Sequence, residues 1–174
     1  GKLTKEEADT LKEQLRSCAD INEAAQKNWS SFYEKNFQAL SGLTNAYVCG
    51  VGANIGTAME GALKFGETVS IPTGAYEVEE YIHGPNIQMT PRYTVFLIEA
   101  GIGTERIRKI YDGTKIATPN AFLVTTDPDY TGDKIFNIPC SVPEEMTPLC
   151  ILPFFQLTAW KLTDCLLYTS DAAD

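Results

Sequence analysis

The sequence predicts an α/β domain, a three-layer sandwich with a mostly parallel, flavodoxin-like sheet, preceded by a helical connector. Three observations carry this. Continuous apolar runs at Ala46–Val51 (AYVCGV), Tyr93–Ile98 (YTVFLI) and Ala121–Thr125 (AFLVT) read as strands buried on both faces. Helical periodicity fills the gaps between them, so strands and helices alternate as they do around a parallel sheet. The first run ends in a Gly-containing turn that leads into a helix, the opening unit of a doubly wound fold.

The elements follow in order. Leu3 to about Leu40 is charged, Ala-rich and free of Pro, with Leu11, Leu15, Cys18 and Ile21 at helical spacing. Thr4 and Glu7 form a capping box, and two helices are expected, breaking near Asn28–Ser31. No heptad is sustained, which favours an amphipathic connector over a coiled coil. After the first strand, Asn54–Gly66 is a helix with a buried stripe of Ile55, Met59, Ala62 and Gly66. Thr104–Ile116 is another, carrying Ile107, Ile110 and Tyr111. Lys134–Ile138 is a candidate edge strand stopped by Pro139. Thr147–Thr163 is an apolar helix over one sheet face, with Pro153 kinking it or delaying its start.

With 174 residues, 44% hydrophobic and 21% charged, the chain has the composition of a single globular domain rather than of a disordered or fibrous one. A net charge of −9 with no basic stripe argues against nucleic acid as a partner. No apolar run approaches the roughly 20 residues that cross a bilayer, and the polar N-terminus is no signal peptide, so the expected location is cytoplasmic. The five cysteines are odd in number, widely spaced and without a CxxC pair, which reads as reduced thiols rather than a zinc site or disulfide framework.

Both ends are unusual. Gly1 stands where Met would, and a helix begins at once, so an upstream segment is expected. The last ten residues, CLLYTSDAAD (165–174), match one translated frame of a transposon adaptor used in shotgun libraries. The organisation expected is therefore a helical inter-domain connector at 1–42, an α/β domain at 43–164 and an adaptor-derived tail at 165–174.

Three places could carry chemistry. The turn Gly50–Asn54 aims backbone N–H groups at a helix N-terminus, suited to an anion; it has no Walker lysine and only part of GxGxxG, and glycines for a tight turn explain it equally. Gly52, Asn54, Thr57 and, further along the helix, Glu60 are the candidate substrate-binding set. On the same helix Glu60, Lys64 and Glu67 stand at i, i+4 and i+7, one lysine bracketed by two carboxylates. This is either a solvated face with an ion pair or a proton-transfer cluster, in which a carboxylate carries a proton between adjacent carbons and a cation stabilises the enediolate oxygen. His83, the one histidine, stands before a helix-ending Gly-Pro and has either a structural or a catalytic role.

The string EGALKFGE (60–67), followed at family spacing by AYEVEEYIHGP (75–85), resembles the sugar isomerase (SIS) family. The similarity is to the second SIS domain of the isomerase module of glucosamine-6-phosphate synthase, and closer still to the fructosamine-phosphate deglycases and phosphosugar isomerases that lack the glutaminase half. The resemblance runs from about Ala46 to Asp164. It implies that Glu67 shuttles a proton between C1 and C2 of an open-chain sugar, that Lys64 assists, and that His83, often supplied by the neighbouring subunit, helps open the ring. It further implies a sugar-phosphate substrate, a first SIS domain outside this chain, a homodimer, and neither metal nor organic cofactor. Two features depart from the family: the Ser/Thr-rich phosphate loop of the first domain and the lysine near the extreme C-terminus have no counterpart here. The alternatives are a non-catalytic SIS module that binds or senses sugar phosphates and, ranked last, a nucleotide-binding flavodoxin-like protein.

Overall fold

The computed structural model describes residues 2–171. At its centre lies a sheet of five strands, all parallel, in the order β2-β1-β3-β4-β5. These are β1 (Asn45–Gly50), β2 (Thr73–Glu77), β3 (Tyr93–Glu99), β4 (Ala121–Thr125) and β5 (Ile135–Asn137). The three apolar runs of the sequence are the central strands β1, β3 and β4, buried on both faces as continuous hydrophobic runs require. The expected edge strand forms over three residues as β5. The other edge, β2, was not anticipated: TGAYE is half-buried and has no apolar run, and only its pairing with β1 makes it a strand.

Helices cover both faces. On one lie α1 (Lys5–Lys35), α2 (Phe37–Ser41), α3 (Asn54–Lys64) and α6 (Thr147–Asp171). Their core joins Trp29 and Tyr33 of α1, Phe154 and Phe155 of α6, and Phe96, Phe122 and Phe136 of the sheet. On the other face α4 (Val78–Ile82) and α5 (Thr104–Ala117) bury Val78, Tyr81, Ile107, Ile110 and Tyr111 against Tyr47, Val95, Leu97 and Leu123.

The lead-in differs from expectation. The Thr4–Glu7 capping box is present, but α1 runs unbroken for 31 residues, through Asn28–Ser31. Nothing there stops a helix, since the segment holds no Gly or Pro and Trp29 is buried with its indole N–H donating to Thr158 Oγ1 at 3.1 Å. The break falls at Asn36, whose side-chain amide donates to Phe32 O and Asp133 O. Leu11 and Leu15 stay largely exposed, so the N-terminal half of α1 extends past the core.

The closing helix begins at Thr147 and includes Pro153. A proline at this position leaves the carbonyl of Leu149 without its helical donor, and Asn22 of α1 supplies one at 2.9 Å. The helix continues past Asp164 through Asp171; residues 172–174 of the suspected tail lie outside the described residues. No helix among the described residues is long and apolar enough to cross a membrane.

One buried charge fixes the strand ends. Glu99, at the end of β3 and 2% exposed, accepts two hydrogen bonds from the Arg108 guanidinium, at 2.8 and 2.9 Å. Arg108 also reaches Asp127 Oδ2 at 2.6 Å and lies 3.9 Å from the centre of the Tyr130 ring. The guanidinium, and then the N–H of Asp129, hold the Asp127 carboxyl below its usual range. Removing Arg108 strands Glu99 as a buried unpaired charge, so Arg108→Met should lower unfolding stability by about 3–5 kcal/mol at neutral pH. Because the Asp127 pKa is lowered, its contribution is present above the unfolded value and fades as pH falls through the folded one. The gap between wild type and variant should therefore narrow in acid; a urea-unfolding series showing no gap at neutral pH would refute the clamp.

Candidate functional site

The first βα turn sits at the C-terminal end of β1, beside β3. The chain leaves β1 toward β2 on one side while β3 lies on the other, and this switch point is where open α/β sheets bind ligands. Gly52 takes a left-handed conformation, φ 58°, as does Gly101 after β3, φ 85°. Between them lies a side chain that the sequence reading missed. Glu144, from the turn before α6, accepts the N–H of Ala53 on Oε1 at 2.8 Å. A Cβ on Gly52 would stand 2.5 Å from that oxygen, and one on Gly101 would stand 3.1 Å from Glu144 Cβ and Cγ. The chain's own carboxylate thus occupies the anion position of the turn. No spacing rule links residue 144 to residue 53; only the return of α6 over α3 brings them together.

Asn54 and Thr57 are buried, and their polar groups face protein. Thr57 Oγ1 donates to Asn54 Oδ1 at 3.0 Å, Asn54 Nδ2 to Thr147 Oγ1 at 2.8 Å, and Thr147 Oγ1 to the Glu144 carbonyl at 2.7 Å. This chain of hydrogen bonds ties α3 to the start of α6 and to the loop carrying Glu144. The buried face of α3 is accordingly Asn54, Thr57, Ala58, Gly61 and Ala62 rather than the expected Ile55–Met59–Ala62–Gly66 stripe; Met59 is 62% exposed. Burial of two polar residues shifted the stripe, because their partners come from a distant part of the chain.

Gly61, the glycine of EGALK, packs directly against α6: a Cβ there would lie 2.8 Å from Phe155 Cγ. After Lys64 the helix widens into a π turn, Phe65–Val69, closed by Ser70 in the left-handed conformation, φ 59°. Single π turns inside or at the end of α-helices recur at functional sites. Thr163 of α6 donates to the Thr68 carbonyl at 3.0 Å, holding the turn in place.

Lys64 and Glu67 meet at this turn. The ammonium lies 2.5 Å from Glu67 Oε1 and 3.2 Å from Glu60 Oε1. The hydrogen bond to Glu67, and then that to Glu60, raise the Lys64 pKa, so the lysine is a cation at neutral pH. All three side chains are part-exposed, between 27% and 43%. Partly solvated ion pairs of this kind add little to stability, and the cluster is accessible from solvent.

His83 is elsewhere. It caps α4 on the opposite face of the sheet, exposed, with its N–H on the Glu80 carbonyl at 3.2 Å. Nearby Glu79 is held below its usual pKa by Arg106, which forks onto it at 2.6 and 2.8 Å, and to a smaller degree by His83. The structure thus joins Glu60, Lys64 and Glu67, and separates them from the turn at Gly52 by the length of α3, about 15 Å. His83 lies across edge strand β2 from them. Among the described residues no group of three His, Cys, Asp or Glu is arranged to hold a metal ion.

No family model and no curated protein matches the sequence. Solved structures do. A provisionally named phosphosugar isomerase from Clostridium difficile 630 superposes with a TM-score of 0.87 at 25% identity, over 95% of this chain and 46% of that one. The C-terminal domain of glucosamine-fructose-6-phosphate aminotransferase from Francisella tularensis gives 0.76 at 16% identity, over 92% and 46%. An Escherichia coli CFT073 protein in complex with a small-molecule ligand gives 0.73 at 16% identity, over 94% and 93%. The chain spans about half the length of the first two. Its structural neighbours are SIS-type phosphosugar isomerases, as EGALKFGE and HGP implied, and its all-parallel sheet is the flavodoxin-like one expected.

Gly61→Ala tests whether the α3–α6 approach positions the cluster. The added methyl meets the Phe155 ring, a rigid neighbour, so thermal or urea unfolding should show a loss of about 1–3 kcal/mol. A neutral result would mean that the helices separate at no cost and that the motif glycine has another role.

Proposed function

We propose that this chain is the catalytic-residue-bearing domain of a phosphosugar isomerase or deglycase acting on a 6-phosphorylated hexose or amino sugar. The observation that carries the reading is the Lys64 ammonium held between Glu60 and Glu67 on a part-exposed π turn. Its support comes from the likeness to a phosphosugar isomerase at 25% identity.

In this reading the Glu67 carboxylate removes the proton from the carbon beside the sugar carbonyl and returns it to the adjacent carbon, which is aldose–ketose isomerisation. With an amine on the sugar, the same transfer through an enolamine prepares cleavage of the adduct. Lys64, kept protonated by its two carboxylates, offsets the charge that develops on the enediolate oxygen. Glu60 keeps Lys64 in place. His83 serves ring opening, and its position across β2 supports a role in a site completed by a second copy of the chain. The parent protein is accordingly a homodimer. The sugar phosphate is held by a first SIS domain, since the anion position of the turn at Gly52 is taken by Glu144. We place the protein in the cytoplasm, without metal or cofactor.

A second reading is a non-catalytic module that binds sugar phosphates. It is favoured by the near-complete overlap, 93% of its length, with a single-domain-sized protein that holds a small-molecule ligand.

Glu67→Gln in the longer polypeptide separates the two. Loss of the base should cost about 10²- to 10⁴-fold in turnover and in solvent deuterium exchange at C1 or C2, with phosphosugar binding retained. Mixing Glu67→Gln with His83→Ala subunits should recover part of the activity, because one site of the mixed dimer has both groups intact. Unchanged exchange in the glutamine variant would reduce Glu67 to a surface ion pair and leave the binding module as the answer.

A further inference from the structure

The turn that carries Glu67 rests on one hydroxyl from the neighbouring edge strand. Where an α-helix widens into a π turn the backbone donors fall out of step, and a carbonyl just before the change loses the N–H it would have had. Here that carbonyl is Ala62, which shares the Phe65 N–H with Gly61. Thr73 gives it a donor of its own, Oγ1–H to Ala62 O at 2.9 Å. The same oxygen faces Gly66: a Cβ there would stand 3.2 Å from it, closer than a methyl group sits comfortably. Thr73 thus touches the backbone at Ala62, on the way into Lys64, and at Gly66, on the way to Glu67.

The sheet holds Thr73 still. It opens β2 opposite Ala46 of β1, and the Ala46 N–H donates to the carbonyl of Pro72 at 3.0 Å. From the left-handed Ser70 the chain regains the sheet through Ile71 and Pro72 alone, so the position of the strand is passed to the turn over a short and stiff connection. The other hydroxyls at the turn cannot take this part. Thr68 Oγ1 donates to Lys64 O at 2.7 Å and moves with the turn. Thr163 Oγ1 meets the turn past Glu67, at Thr68 O.

We propose that Thr73 is a positioning residue, which sets the π turn so that Glu67 meets Lys64. Without its hydroxyl, Ala62 O keeps only a shared donor, the backbone at Gly66 loses its stop, and the turn can rotate and take Glu67 off Lys64. The ammonium is then left with Glu60, at 3.2 Å. Of the two partners Glu67 matters more, since its hydrogen bond does most to keep the lysine protonated. Thr73 has this part whatever Glu67 is for; an effect on turnover rests on the function proposed above.

The test reads Lys64 directly. The full chain is labelled with a trace of acetic anhydride at mildly alkaline pH, and mass spectrometry compares the acetylated fraction at Lys64 with that at the exposed Lys2 and Lys5. The anhydride acylates only the neutral amine, so a lysine held as a cation by carboxylates reacts slowly. Glu67→Gln sets the scale of a lost pair. Thr73→Val, which keeps the shape and removes the hydroxyl, should raise Lys64 labelling about two- to fivefold, the factor that an exposed ion pair is worth. Gly66→Ala, which crowds the same hydroxyl with Thr73 in place, should raise it too, and Thr73→Ser should match wild type. A lower melting temperature with Lys64 labelling unchanged in both Thr73→Val and Gly66→Ala would overturn the proposal. So would a rise in Thr73→Ser equal to that of the valine variant, or no rise in Glu67→Gln. Turnover of the longer polypeptide separates the proposal from the function it touches: if labelling rises in Thr73→Val and turnover does not fall, Thr73 positions the pair and the pair is not catalytic.

Discussion

The position of α3 on α6 is the contact on which the candidate site depends. It is fastened at three levels: Asn54 to Thr147 at the start of α3, Gly61 against the Phe155 ring midway, and Thr68 to Thr163 beyond its end. The first and last are hydrogen bonds with fixed geometry, and the middle one is a close approach that only a residue without a side chain allows. Between them they fix both the axial position and the rotation of α3. Lys64 and Glu67 face outward as a result, and the π turn is held open rather than relaxing into another turn of α-helix. Phe154 and Phe155 then lock α6 into the aromatic core of the sheet, so the placement of two part-exposed side chains is set by packing far below them.

The same interface accounts for the crevice. A parallel sheet with this strand order leaves a gap above β1 and β3, and backbone N–H groups at the head of α3 give it a positive character. In this domain the turn that precedes α6 brings Glu144 over that gap, where two left-handed glycines make room for it. A carboxylate accepting a backbone N–H at a helix head is a stronger contact than a neutral one. The electrostatic demand of the fold is thus met internally, and the carboxylates paired with Lys64 lie toward the far end of the same helix.

The sequence revealed the parts of this structure that depend on local pattern. Buried central strands announce themselves as apolar runs, and α5, the Thr4 capping box and the Lys64 bracket follow from spacing alone. What was hidden depends on partners distant in the chain. The strand β2 has no hydrophobic signature because an edge position in contact with one neighbour asks for none. Asn54 and Thr57 were candidates for binding substrate, and their burial follows from Thr147, some ninety positions away, as Glu144 follows from the return of α6. The expected helix break at Asn28–Ser31 failed for a related reason: local propensity there is modest, but Trp29 is fixed by Thr158 and carries the helix through. The motif EGALKFGE marked Lys64 and Glu67 as a candidate pair without showing that Glu67 stands on a π turn.

That turn bears on how the motif can vary. A π turn holds one residue more than an α turn, and each residue of a helix advances the side-chain direction by about 100°. A sequence lacking one residue between Lys64 and Glu67 would close as ordinary α-helix and carry its glutamate about 100° round the axis, although its composition would be almost unchanged. A single-codon deletion in this short stretch would therefore do what no conservative substitution there does: part the acid from the lysine while leaving the fold intact.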